Sequence, residues 1–295
     1  MSDAQPVSNP FQANTTHALR GNYAAMRADY TIAQDMDDYT EAEHDRWRRL
    51  YARQSVLLES YADAAFIDGL RALDAADGVP DLERASDRLE ALTGWRLVAV
   101  PGLIPNDVFF RHLANRRFPV AHWLRREDEL DYLVEPDIFH DFFGHVPLLS
   151  NQTFADYMQS YGEAGLKCIA NGTDGVLARL YWYMVEFGLI RTDDGLKAYG
   201  AGMLSSMGET MFSVDSDKPH RVRFDRDRVL STDYMVDDFQ KTYFVVDDYA
   251  ELFDAMTPDL LAEIARAASR DAIDPAMVGS GDVLVAPKSG ALRTA

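Results

Sequence analysis

The stretch ARLYWYMVEFGLI carries one charged side chain across residues 180–190, the carboxylate of Glu186. Its neighbours are apolar nearly all round the helical wheel, the pattern of a helix buried on every side. A carboxylate buried without a partner costs several kcal/mol, on the order of a domain's whole stability margin. A fold that buries Glu186 must therefore bring something to it: an arginine, a metal ion, or surroundings that keep the carboxyl protonated. Arg116, Arg117, Arg125 and Arg126 are candidates for the first.

A second stretch, PDIFHDFFGHVP, sets His140 and His145 five residues apart among Phe139, Phe142, Phe143 and Val146. In an α-helix, side chains five apart point about 140° away from each other. If both imidazoles bind one thing, the helix must end between them, and Gly144 followed by Pro147 reads as such an end. A helix is predicted over 136–143, with His145 swinging in from beyond it. Two such histidines and one carboxylate make the 2-His-1-carboxylate set of non-haem Fe(II) enzymes, which leaves open positions for O2 and substrate. The zincin pattern instead uses a ligand spacing of four. The donor types do not separate iron from zinc. A zinc hydrolase on the same ligands, and a metal-stabilised helical scaffold without turnover, stay open on this ground.

With 295 residues, 47% of them apolar, the chain can bury a core in one large domain or two small ones. A net charge of -19 and a pI near 4.6 exclude nucleic acid and anionic membrane as partners, because phosphate repels such a surface. The single cysteine, Cys168, rules out a disulfide within the chain and fits a reducing, cytoplasmic setting. MSDAQPVSNPFQ lacks the basic and apolar regions of a signal peptide. LYWYMV is too short to cross a bilayer.

The punctuation predicts a mobile polar arm over 1–38, one domain over 39–270 and a loose tail over 271–295. Thr40 with Glu43 reads as a capping box opening a helix through WRRLYARQSVLLESYAD, with Trp47, Leu50, Tyr51, Val56, Leu57 and Tyr61 near helical spacing. Further helices are expected over 64–73, over 82–92 closed by Gly94, and over 107–114, 153–169 and 175–187. WRLVAV, RVRFD and YFVVDD read as short strands and PGLIPND as a loop. The expected class is α+β, mainly α-helical, in one domain.

EPDIFHDFFGHVPLL, LYWYMVEFGLI and AYGAGMLSS together closely resemble the pterin-dependent aromatic amino acid hydroxylases, and within them the short bacterial members that act on phenylalanine. The likeness runs over about residues 39–253, with the motifs in the expected order. It implies a basket-like helical catalytic domain with the metal in a deep central pocket. It also implies Fe(II), tetrahydrobiopterin or a related tetrahydropterin, O2, and para-hydroxylation of an aromatic amino acid through peroxypterin and iron-oxo species. By the resemblance, His140, His145 and Glu186 hold the iron. VPGLIPNDVFF matches the pterin segment, so Val100, Gly102, Leu103, Ile104 and Asn106 contact the pterin and Phe109 stacks on it. Asp141, one methylene shorter than its counterpart in animal relatives, reaches the pterin through water. Ala178 and Tyr181 complete that pocket.

For the amino acid, the resemblance assigns Arg125 to the substrate carboxylate as a two-pronged partner. Ser205 touches that carboxylate or orients a ligand histidine, and Glu209 joins the same network. Leu133 replaces a hydroxyl residue. Pro136, Trp182 and Phe187 wall the ring pocket. Trp182 stands where tryptophan hydroxylases carry Phe, and Val236 where tyrosine hydroxylases carry Asp, so L-phenylalanine is the expected substrate. Tryptophan and tyrosine remain the alternatives within the family. No regulatory domain and no C-terminal heptad helix are apparent, so a monomer is expected.

Overall fold

The computed structural model describes residues 19–287, apart from 132, 134 and 237. Helices α1 (Glu41–Tyr61), α2 (Ala64–Leu73) and α3 (Leu82–Thr93) precede a crossover of β1 (Arg96–Val100), α4 (Asn106–Ala114) and β2 (Arg117–Ala121). A π-helical turn (Phe139–His145) and a 3-10 turn (Val146–Ser150) lead into α5 (Gln152–Asn171). Then α6 (Asp174–Tyr181) runs directly into a second π-helical turn, Trp182–Glu186. After these come β3 (Leu189–Thr192), β4 (Gly195–Ala198), α7 (Ala201–Leu204), α8 (Met207–Asp215) and β5 (His220–Arg223). The described chain closes with α9 (Arg226–Ser231), β6 (Thr242–Val246), α10 (Tyr249–Asp254) and α11 (Leu260–Ala268). The class is α+β and mainly helical, and one continuous buried cluster from Ile32 to Ala267 forms the core.

Local chemistry explains many boundaries. The Thr40 hydroxyl accepts from Glu43 N–H (3.3 Å) while the Glu43 carboxylate accepts from Thr40 N–H (2.8 Å), which fixes the start of α1. Gly94, at φ +77°, ends α3 in the left-handed conformation. The buried stripe of α1 is Trp47, Leu50, Gln54 and Leu58. Val56, expected inside, is 74% exposed, because the true stripe advances by three and four and leaves it on the far face.

Among the described residues the strands form a parallel β1–β2 pair and a sheet ordered β4-β3-β6-β5. The sequence reading missed β2 and the β3–β4 hairpin. Pro119 inside β2 argues against a strand, yet it is tolerated where the pairing is only two strands wide. The hairpin turns through Asp193 and Asp194, with Gly195 at φ +98°.

Both ends of the described chain are pinned. Ile32 N–H donates to Ala99 C=O (2.9 Å), the Tyr23 hydroxyl to Leu103 C=O (3.1 Å), and Arg20 N–H to the Glu135 carboxylate (3.0 Å). Residues 19–38, expected within a mobile arm, thus strap across the loop after β1. Beyond α11, Arg223 N–H donates to Val283 C=O and Val285 N–H to Arg221 C=O, so the expected loose tail lies along the edge of β5 as far as 287. The remainder of the arm (1–18) and of the tail (288–295) lies outside the described residues.

The helix does not stop at Gly144. The Phe139–His145 turn is π-helical and contains both histidines. In an i→i+5 ladder, residues five apart lie over one another, so the spacing that splits two side chains in an α-helix aligns them here. Gly144 serves close packing instead: a Cβ on it would sit 2.9 Å from Ala201 C=O at the start of α7. Gly144→Ala is therefore expected to destabilise by about 1–3 kcal/mol. Gly175→Ala on α6, where a Cβ meets nothing within 4 Å, should stabilise by about 0.4–1 kcal/mol. Thermal or urea unfolding of both variants tests the contrast; equal effects would refute the packing role of Gly144.

Candidate metal centre and the pocket around it

The two π-helical turns bring three donors to one point. His140 Nε2 and His145 Nε2 lie 3.3 Å apart, and Glu186 places Oε1 3.2 Å from His145 Nε2 and Oε2 3.6 Å from His140 Nε2. Donors about 2.1 Å from a shared metal, in neighbouring coordination positions, stand about 3–3.4 Å apart. The set therefore fits a single ion. Among the described residues it is the one cluster of His, Cys, Asp or Glu with this geometry. The second turn is closed by Phe187 N–H donating to Trp182 C=O (3.0 Å), an i→i+5 bond.

The electrostatics act differently on each donor: burial lowers His145, but the facing Glu186 carboxylate outweighs it and holds that imidazole above its ordinary value. Burial pushes the Glu186 carboxyl up, but His145 and His140 facing it pull it lower still, so it stays an anion. Burial drives His140 down to about 4 against the pull of Glu186, leaving that imidazole neutral. Ser205 at the end of α7 selects its tautomer. The Ser205 hydroxyl donates its one proton to Ala201 C=O (2.8 Å), so it accepts from His140 Nδ1–H (3.0 Å). That leaves the Nε2 lone pair aimed at Glu186 and His145. Ser205 thus stands against the His140 ring.

Of the residues expected around a pterin, Tyr181 packs beside this centre and Phe109 packs on Tyr181. The Phe109 and Tyr181 rings meet edge to face at 5.6 Å, and Tyr181 lies 6.0 Å from the His145 ring. Val100 pairs with Ala121, whose N–H donates to Asp141 Oδ2 (2.8 Å). Burial lifts Asp141 to about 7. Leu103, Ile104 and Ala178 are half-buried. Asn106 is exposed and donates to Asp174 at the start of α6 (3.0 Å). Gly102 is covered: at φ +152°, a Cβ there would meet Glu135 and Tyr23 within 3 Å. The strap thus holds this segment from outside.

Arg125, beside the charged run REDEL, is not solvated. It is 5% exposed and grips Asp137 through Nε (2.9 Å) and Nη2 (2.8 Å). A two-pronged grip on a substrate carboxylate through that edge is therefore already taken; the Nη1 edge remains, with only a 3.5 Å contact to Leu130 C=O. Trp182 packs against Phe187 (4.9 Å) and stacks on Tyr234 (4.6 Å, 22°). Pro136 and Leu133 are half-buried near Asp137 in sequence. Val236 is the exception. It is 72% exposed on the loop before β6, so it does not form a closed apolar lip.

Glu209 is buried and accepts from the Tyr243 hydroxyl (2.8 Å) and Gln240 N–H (3.2 Å), away from the metal donors. The sequence reading missed Asp137, Tyr234 and Gln240. Asp137 also accepts from His140 N–H (3.0 Å), so one carboxylate anchors both Arg125 and the first histidine. Its signal was an acid three residues before His140, the spacing of a helix cap. A surface cleft of about 670 Å³ beside β5 and α9 contains none of these residues.

Comparison with known proteins gives a consistent picture. The family model of biopterin-dependent aromatic amino acid hydroxylases matches residues 5–267. A phenylalanine-4-hydroxylase of Ralstonia nicotianae is 51% identical over 267 residues, covering 88% of this chain and 85% of its own. The iron- and phenylalanine-bound crystal structure of the Chromobacterium violaceum phenylalanine hydroxylase superposes with a TM-score of 0.85 at 48% identity, covering 88% of this chain and 96% of that one. The same enzyme with bound iron(III) and 7,8-dihydrobiopterin gives a TM-score of 0.85 at 49% identity, with 88% and 94% covered.

Burial lifts the Glu209 carboxyl to about 7, with Asp238 adding to the rise and the bonds from Tyr243 and Gln240 opposing it. The folded protein keeps this proton until about pH 7, whereas an unfolded chain releases it near about pH 4.3. Stability therefore falls as pH rises between those values, by a few kcal/mol at most. Glu209→Gln should flatten that stretch of the curve of unfolding free energy against pH. An unchanged slope in the variant would show that Glu209 does not titrate in this window.

Proposed function

The chain belongs to the biopterin-dependent aromatic amino acid hydroxylases, and from that membership we infer that it converts L-phenylalanine to L-tyrosine with O2 and a tetrahydropterin at a non-haem iron. The observation that carries the residue-level reading is the convergence of His140, His145 and Glu186, with ligand atoms all within 4.8 Å of one another. In this reading the three hold the iron on one face, and Ser205 keeps His140 presenting its lone pair. Bound iron and reduced pterin together supply the activation of O2.

The protein's own part is placement and the exclusion of water. Phe109 and Tyr181 offer ring edges and faces to the pterin, Val100, Leu103, Ile104 and Asn106 frame it, and Ala178 leaves room. Gly102 lets the chain pass beneath Tyr23. Asp141, tethered to Ala121 N–H, reaches the pterin only through water. Arg125 meets the amino acid's carboxylate with the guanidinium edge that Asp137 leaves free. Pro136, Trp182 and Phe187 wall the ring, and Leu133 adds apolar surface where relatives use a hydroxyl.

An apolar wall cannot strongly reject an added hydroxyl, so weak action on tyrosine is expected. Val236, in solvent, adds nothing against tyrosine, and the preference for phenylalanine over tryptophan rests on the bulk of Trp182 and on the relatives. Zinc-hydrolase and scaffold readings gain nothing from relatives crystallised with iron, phenylalanine and dihydrobiopterin. No described helix is long and apolar enough to cross a membrane. We propose a cytoplasmic monomer, in keeping with a buried free Cys168; sedimentation checks the oligomeric state.

Anaerobic reconstitution with Fe(II), followed by tetrahydropterin, phenylalanine and air, should yield close to one tyrosine per pterin oxidised. Tryptophan as the only hydroxylated substrate would overturn the reading of Trp182, and no hydroxylated product with iron bound would overturn the function. Arg125→Lys should raise KM for phenylalanine by about tenfold or more with a smaller change in kcat, because a point charge cannot serve Asp137 and a second carboxylate at once.

A further inference from the structure

Gln240 lies in the loop between α9 and β6 and is 2% exposed. Its side-chain oxygen accepts from Trp182 Nε1–H (3.0 Å), and its amide nitrogen donates to Met235 C=O (2.8 Å) and Asp238 C=O (3.3 Å). An indole N–H only donates and a backbone carbonyl only accepts. The site therefore requires one acceptor and two donors on one side chain, which fixes the orientation of the amide. The backbone of Gln240 is fixed too, through its N–H on Glu209 Oε1, the oxygen that also accepts from the Tyr243 hydroxyl.

The same loop is stapled to the metal-bearing helix at two further points. Tyr234 stacks on Trp182, and the Tyr183 hydroxyl donates to Asp233 C=O (2.5 Å). Tyr234 stacks on the indole face and Phe187 packs on it at a tilt of 42°, and a stacked contact tolerates sliding and rotation within the ring plane. The hydrogen bond at the indole edge removes that freedom. Trp182 also begins the π-helical turn that ends at Glu186, so the wall and the metal ligand share one short rigid segment.

We propose that Gln240 is a positioning residue for the substrate pocket: its amide locks the Trp182 indole and the 233–240 loop in one register, and so sets which aromatic ring the pocket accepts. The inference rests on Trp182 walling that pocket.

Gln240→Met keeps the volume and removes all three side-chain bonds. Gln240→Glu keeps the acceptor for the indole but sets a carboxylate against the carbonyls of Met235 and Asp238. Iron content, and KM and kcat for phenylalanine and for tryptophan, are measured for both, with tyrosine formed per pterin oxidised. Gln240→Met should raise KM for phenylalanine about three- to tenfold and lower the phenylalanine-to-tryptophan ratio of kcat/KM by a similar factor, with iron content and pterin KM unchanged. Gln240→Glu should move both quantities the same way by less. In a Trp182→Phe background, Gln240→Met should add less than it does in the wild type, since the indole bond is already gone and only the bonds to Met235 and Asp238 remain to be lost. Wild-type KM and ratio in either variant, once folded and iron-replete, would overturn the proposal, as would a full Gln240→Met effect without the indole. A wild-type enzyme that makes no tyrosine from phenylalanine would instead overturn the function on which the proposal stands.

Discussion

Glu186 is an anion enclosed by apolar side chains, and the fold is arranged so that it is never alone. Two imidazoles face it at 3.2 and 3.6 Å. Each of the three groups would be unfavourable in isolation, because burial opposes charge on the carboxylate and leaves unmet hydrogen bonds on the rings. Together they compensate one another in part, and a cation placed among them completes the compensation. With these residues proposed as the iron ligands, the cost of the site to the folded protein and its affinity for metal have one origin.

Holding donors from two segments at this distance is a backbone problem, and the chain solves it twice in the same way. Both segments depart from the α-helix into a π-helical turn, Phe139–His145 and Trp182–Glu186. Such turns are rare because the wider ladder is less favourable, and they occur mostly at functional sites. Here the widening aligns two side chains five residues apart. Gly144 then lets the start of α7 approach closely, and α7 delivers Ser205 to the back of His140.

A second buried charge pair, Arg125 with Asp137, adjoins the first histidine. Asp137 accepts from the Arg125 guanidinium and backbone and from His140 N–H. Buried ion pairs are weak evidence of stabilisation, since desolvation cancels much of the attraction. Their geometry is what they secure. Asp137 aims the free edge of the guanidinium and fixes the first turn of the ligand segment together, so movement at one is felt at the other.

The donor set, the fold class and the principal helices were legible in the sequence because they follow from local rules. A lone carboxylate in LYWYMVEFGLI, two histidines among aromatic residues, the Thr40–Glu43 cap and Gly94 each act within a turn or two of chain. Tertiary structure decided the rest. Whether a spacing of five aligns or splits two side chains depends on the ladder the backbone adopts, and the packing of α7 against Gly144 accompanies the π form. That the Arg125 fork is filled by Asp137, that Val236 faces solvent, and that the loop before β6 fixes Trp182 through Gln240 depend on contacts between segments far apart in sequence. The strap of residues 19–38 and the docked tail are of the same kind: they carry no helical or strand pattern, and what holds them is hydrogen bonding to strands and loops, with burial of Ile32, that exists only once the domain has folded.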